Sequence, residues 1–192
     1  MIGIFLFTLF IFLFEEKMSD MYSFVKDRTR LIEKISLLIP GFHGYKEKEL
    51  RREADRLIRE YALRRLKVSY DSFRNIMTPL AVVGDSGIFA LYNMVQAVFD
   101  RIMSKLRAAD YGYSGFFDAV KIREKELDAL LNYDYNLVER IPEIEKEVSN
   151  VVSVVSSGNK EEISKALYSL KSKLEEFERL IIERENVILS VR

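Results

Sequence analysis

From Leu127 onward the hydrophobic residues recur in alternating steps of three and four. Leu127, Leu130, Asp134, Leu137, Ile141, Ile144, Val148, Val151 and Val155 form one series. Ile163, Leu167, Leu170, Leu174, Phe177, Ile181, Arg184, Ile188 and Val191 form a second. A mean step of 3.5 residues keeps each series on one side of an α-helix, whereas a strand would alternate every second residue. Between the series "SSGN", residues 156–159, reads as a turn, and Asn159 with Glu162 makes a capping-box pattern. Two long helices joined so tightly run antiparallel. Each series has one polar member, Asp134 in the first and Arg184 in the second. Asp134 reads as a residue that sets the helix register rather than as a ligand. Pro142 is expected to kink the first helix or restart it, since Glu143 and Glu145 suit a new first turn.

The rest of the chain has the same periodicity, broken by few prolines and glycines. Residues 19–38 read as a first helix with Leu31, Ile35 and Leu38 on its inner stripe, and "PGFHG" turns the chain after it. A second helix follows over 45–67 and continues through Phe73 and Met77 as far as Pro79, with Leu50, Ala54, Leu57, Ile58 and Tyr61 facing inward. "VVGDSG" breaks it, and Asp85 or Ser86 caps a third helix. The third helix opens "IFALYNMVQAVF", apolar nearly all round, which places it at the centre of the fold. Residues 109–122, "ADYGYSGFFDAVKI", form the longest irregular stretch, and Phe116 to Ile122 suits extended chain. No strand set large enough for a sheet is visible. The expected fold is an all-α helical bundle with a long antiparallel coiled-coil hairpin at its C-terminus. Residues 1–17 form an apolar N-terminal segment, 18–122 a helical bundle core, and 123–192 a hairpin packed on that core or extending from it.

Composition narrows the chemistry. The 30 basic and 30 acidic residues cancel, so no global field draws in nucleic acid or an anionic membrane. Locally the balance differs: residues 15–67 are mildly basic and residues 111–192 mildly acidic, which suits docking of one part on another or head-to-tail association. With no cysteine there is no disulfide, thiolate nucleophile or cysteine zinc site. Abundant Lys, Glu and Arg without Cys or Trp is the composition of a thermophile's protein. His43 is the only histidine, which removes paired Glu-x-x-His di-iron sites and histidine zinc sites. "GDSG" at 84–87 resembles a serine-protease nucleophile loop, and His43 and Asp55 precede it in the required order. That fold is built of β-barrels, however, and Ile88 stands where its next glycine belongs, so a turn with a helix cap is the better reading. There is no phosphate-binding or dinucleotide fingerprint. The expected catalytic residues, metal ligands and cofactors are therefore none, with an all-carboxylate metal enzyme as the last alternative.

The first fourteen residues, "MIGIFLFTLFIFLF", are apolar except for Thr8. As a helix they span about 20 Å, short of the roughly 30 Å hydrocarbon core. They read as a short membrane anchor, an unusual signal segment, or a start codon placed too early with Met18 or Met21 as the true start, and the third reading is preferred. The expected location is cytoplasmic, or membrane-peripheral if the segment is translated.

Two stretches are candidate binding surfaces. In the second helix Lys48, Arg52, Arg56 and Arg59 can line one exposed face able to meet phosphates. Glu49, Glu53, Asp55 and Glu60 are interleaved at pairing distance, so an ion-paired solvated face competes with that reading. In the irregular stretch Tyr111, Tyr113, Phe116, Phe117 and Asp118 make a dense aromatic loop: either a cap on the bundle end or a recognition surface. Through Pro40–Glu49 and Tyr111–Asp118 the chain resembles a prokaryotic family of helical proteins with a Pro-Gly-x-x-Gly-Tyr-Lys-x-Lys-Glu opening and a Tyr-Gly-Tyr-x-Gly-x-Phe-Asp loop. The likeness covers roughly residues 22 to 140 and implies no assigned activity. The functional expectation is a helical adaptor or scaffold acting through a protein partner or self-association. Nucleic-acid or anionic-surface binding through residues 46–67 is the alternative.

Overall fold

The computed structural model describes residues 26–45, 51–108 and 124–189, and within them the only regular structure is helical. Helix α1 occupies 26–38, followed by α2 (Arg51–Arg74), α3 (Met77–Val83), α4 (Ser86–Ala108), α5 (Glu124–Val155) and α6 (Lys160–Leu189). Every described member of the two heptad series is buried, Asp134 and Arg184 included. The fold is an all-α bundle in which α5 and α6 form the predicted antiparallel hairpin.

That hairpin is half of a four-cornered arrangement. Helix α2 packs on α4 and α5, and α6 packs on the same two. Pairs of touching residues give the directions. Arg59 meets Leu106 while Phe73 stacks on Tyr92, so α2 and α4 are antiparallel. Lys160 pairs with Asp85 and Arg101 with Glu178, so α4 and α6 run parallel. The shared lining of Arg65 with Glu145 and Ser69 with Ser149 makes α2 and α5 parallel. Apolar side chains from all four corners join in one core, from Ile35 to Ile188.

The element ends follow from local chemistry. Asp85 caps α4, its Oδ1 accepting from the Gly87 and Ile88 amides at 2.9 and 3.1 Å. Asn159 Oδ1 does the same for the Glu161 and Glu162 amides at the start of α6. Gly84 ends α3 in the left-handed conformation.

Four expectations are corrected. Helix α2 stops at Arg74, and Pro79 lies in the first turn of α3, where a missing amide costs nothing. Helix α5 is one continuous helix through Pro142 and does not restart there. Leu38 is half-exposed, and Ile39 takes the buried place at the end of α1. Helix α4 holds a corner rather than the centre, with Asn93, Met94 and Ala97 in solvent. A nearly unbroken apolar run suggests burial on every side, but single apolar side chains sit in water at little cost.

Candidate functional site

Two features stand out from the packing: a buried charge network at one end of the bundle, and a groove along α2 and α5.

The network starts from the turn after α1. Gly41 and Gly44 both have positive φ, and a Cβ on Gly44 would come 2.8 Å from Ile32 Cδ1. This tight reversal drives Phe42 and Tyr45 into the core, their rings edge to face. The Ser36 hydroxyl ties it down, 2.6 Å from the Phe42 carbonyl. Tyr45 then donates its hydroxyl proton to Asp134 Oδ2. Asp134 Oδ1 accepts from Arg184 Nε at 2.6 Å, and Arg184 Nη2 reaches Asp55 Oδ1 at 2.7 Å. Asp55 Oδ2 accepts from Arg59 Nε at 2.9 Å, and Arg51 Nε donates to the Tyr45 carbonyl at 3.0 Å. The polar members of the two heptad series thus pair with each other, and α2 supplies the remaining charges.

Burial dominates the electrostatics here. It pushes the Asp134 carboxyl above its ordinary range, with Arg184 and the Tyr45 hydroxyl pulling the other way. It also raises the Tyr45 phenol well above its usual value, and the adjacent Asp134 charge adds to that. For Arg184 burial alone would lower the value, but the carboxylates of Asp134 and Asp55 outweigh it and hold the guanidinium charged. The void beside Arg59, Lys105, Leu106 and Arg184 measures about 10 Å³, room for one water and no substrate. The network's role is to join the 39–45 turn, α2, α5 and α6.

The groove follows a second stripe on α5, one residue on from the core series: Tyr135, Val138, Pro142, Glu145, Ser149 and Val152. Helix α1 runs parallel to α5 and covers the first part of it. Arg28 lies 3.2 Å from Asp128, and Lys34 Nζ donates to the Tyr135 hydroxyl at 2.9 Å. At the end of α1 a hollow of about 350 Å³ opens between Ile35, Leu37, Leu38, Val138 and Pro142. Farther along the same line a second hollow of about 560 Å³ lies between α2 and α5, lined by Val68, Ser69, Ser72, Val148, Ser149 and Val152. Arg65 and Glu145 bridge its floor in a two-pronged ion pair of 2.5 and 2.6 Å. Leu37 is 85% exposed, Val68 65%, Leu38 50% and Val152 39%. Pro142 brings no amide to the Val138 carbonyl, which is left without its intrahelical donor beside the first hollow.

The sequence-predicted sites fare differently. Of the basic face, Arg56 is exposed and held by Glu53 at 2.6 Å and Glu60 at 2.9 Å. Arg59 is not on that face: it is buried, because its turn of α2 points at Asp55 and the end of α4. Arg52 is exposed, and Lys48 lies outside the described residues. Tyr111, Tyr113, Phe116, Phe117 and Asp118 also lie outside them. His43, Asp55 and Ser86 do not assemble. Ser86 opens α4, whereas Asp55 sits by Leu106 near its far end, about 30 Å away at 1.5 Å per residue. No group of three or more His, Cys, Asp or Glu able to hold a metal ion is found among the described residues. No described helix is long and apolar enough to cross a membrane. Sequence reasoning missed Tyr45 and Arg51, whose signal was the glycine-flanked turn before a basic run. It also missed the groove, whose α5 stripe mixes Ser, Glu and Pro with its hydrophobic residues.

No family model matches the chain, and no curated protein or solved structure is significantly similar to it.

Proposed function

We propose that this protein is a non-enzymatic helical adaptor that holds a helix of another protein in the groove between α2 and α5. One observation carries the reading. Helix α1 already occupies the lower part of that line and ends in the exposed Leu37 and Leu38, and Val68 and Val152 stand in water along its continuation. Exposed apolar side chains scattered singly need no explanation, but a row of them along a helix-wide trough marks a docking surface. The polar groups of the buried network are spent on one another rather than held open for chemistry. Phosphate binding through residues 46–67 is less well supported, because Arg56 and Arg59 are committed to carboxylates within their own helix.

A photo-cross-linking residue placed at Val152 of the full chain, in the cells that make it, tests this. A discrete protein adduct is expected from position 152, none from the exposed position of Ser172 on α6, and loss of the adduct on Val68→Asp. An adduct equally strong from both positions, or one indifferent to Val68→Asp, rejects the groove.

A further inference from the structure

All four long helices meet at the void beside Arg184. Helix α2 gives it Arg59 and Ala62, α4 Lys105, α5 Leu137, and α6 Ile181 and Arg184. Its charged lining residues are all cations, and no lining residue has an acceptor side chain. The nearby Leu106 carbonyl is engaged by Arg59 Nη1 at 3.4 Å. Arg184 is 3% exposed. Its Nε and Nη2 are taken up by Asp134, Asp55 and Tyr45, but Nη1 has no acceptor among the described residues. Lys105 is half-buried, and its ammonium has neither a hydrogen bond nor an ion pair among them. A buried donor left without an acceptor is costly, the more so when it is charged. Charge counting points the same way. Asp134 and Asp55 balance Arg184 and Arg59, so Lys105 brings a positive charge that no carboxylate of the network answers.

We infer that this void is a binding site for one monatomic anion of the halide class, such as chloride, held between Arg184 and Lys105. Size does part of the selecting. About 10 Å³ admits a single small sphere, which shuts out sulfate, phosphate and carboxylates. Charge decides between a halide and a water. A water satisfies the donors but leaves the surplus charge unneutralised, whereas a monovalent anion does both. The ion also draws α4, which otherwise gives the network only a backbone carbonyl, into the same cluster.

Urea denaturation of the full chain over a range of sodium chloride, with ionic strength held constant by sodium gluconate, tests this. Gluconate is too large to enter, so general screening stays fixed while the halide varies. Once chloride exceeds its dissociation constant, the folding constant is expected to rise about tenfold for each tenfold of chloride. Bromide should act as chloride does, and crystals grown in bromide should show an anomalous peak between Arg184 and Lys105. Lys105→Met, at a half-buried position, should keep the fold and erase the chloride dependence. Ala62→Val, which fills the void and leaves both cations in place, should erase it too. Equal stability in chloride and gluconate overturns the inference, as does a chloride dependence that survives either variant. A bromide peak at the void without a chloride effect on stability marks an adventitious ion only, and overturns it as well.

Discussion

At the scale of single residues the bundle depends on a charge pair that water does not reach. Asp134 is fully buried and Arg184 nearly so, and each is the other's nearest counter-charge. Removing one partner from a buried pair strands the other, at a cost of about 3–5 kcal/mol, while removing both costs far less. Arg184→Met and Asp134→Asn should each destabilise by roughly that amount in urea denaturation, and the double variant by clearly less than their sum. A strictly additive double variant would show that the pair is not coupled. Asp128 makes the opposite case. Both its carboxylate oxygens lack a hydrogen-bond donor, and desolvation, with the Glu124 charge adding, raises its carboxyl despite Arg28. A carboxyl raised by folding favours the folded state below its unfolded value and loses that contribution as pH rises through the folded one. Asp128→Asn should therefore stabilise the protein at pH 7, by on the order of 1 kcal/mol, and the gain should vanish below about pH 4. Urea melts of the two chains at both pH values check the sign. Asp134 and Arg184 were readable as interruptions in a heptad. Arg59 was not, because a basic residue among acids gives no sign of which side its turn faces.

At the scale of elements, α5 and α6 were legible almost whole, since eighteen positions in strict 3,4 spacing leave little freedom. The end of α2 was not, because Asn75 and Ile76 break the helix without a glycine or proline. Helix α5 continues through Pro142 instead of restarting there, for a physical reason. A proline inside a helix forfeits a hydrogen bond and crowds the preceding turn, costing about 3 kcal/mol, but the packing of α1, α2 and α6 around α5 outweighs that. Pro142→Ala restores an amide to the Val138 carbonyl and should raise stability by about 1–3 kcal/mol. Hydrogen exchange should slow in the turns around 138–146. Unchanged exchange there would mean that the carbonyl already has a donor elsewhere.

At the scale of the whole molecule, the core passes without interruption from Ile35 through the hairpin to Ile188, and the network ties the 39–45 turn, α2, α5 and α6 together. A 192-residue chain built this way should unfold in one transition, with circular dichroism and tyrosine fluorescence tracing the same urea curve. Separated curves would mean that the hairpin stands on its own. Sequence periodicity showed the bundle but not the pairing of its corners, because the neighbours of α5 are chosen by three-dimensional fit rather than by any local signal.

The described chain enters at Lys26 and leaves at Leu189, and both points lie at the end of the bundle where α5 begins, with Arg28 against Glu124. The opposite end is closed by α3 and the 156–159 turn. The open stretch of the trough, from Pro142 to Val152, therefore lies away from both of those points, in the half of the bundle nearer α3 and the 156–159 turn.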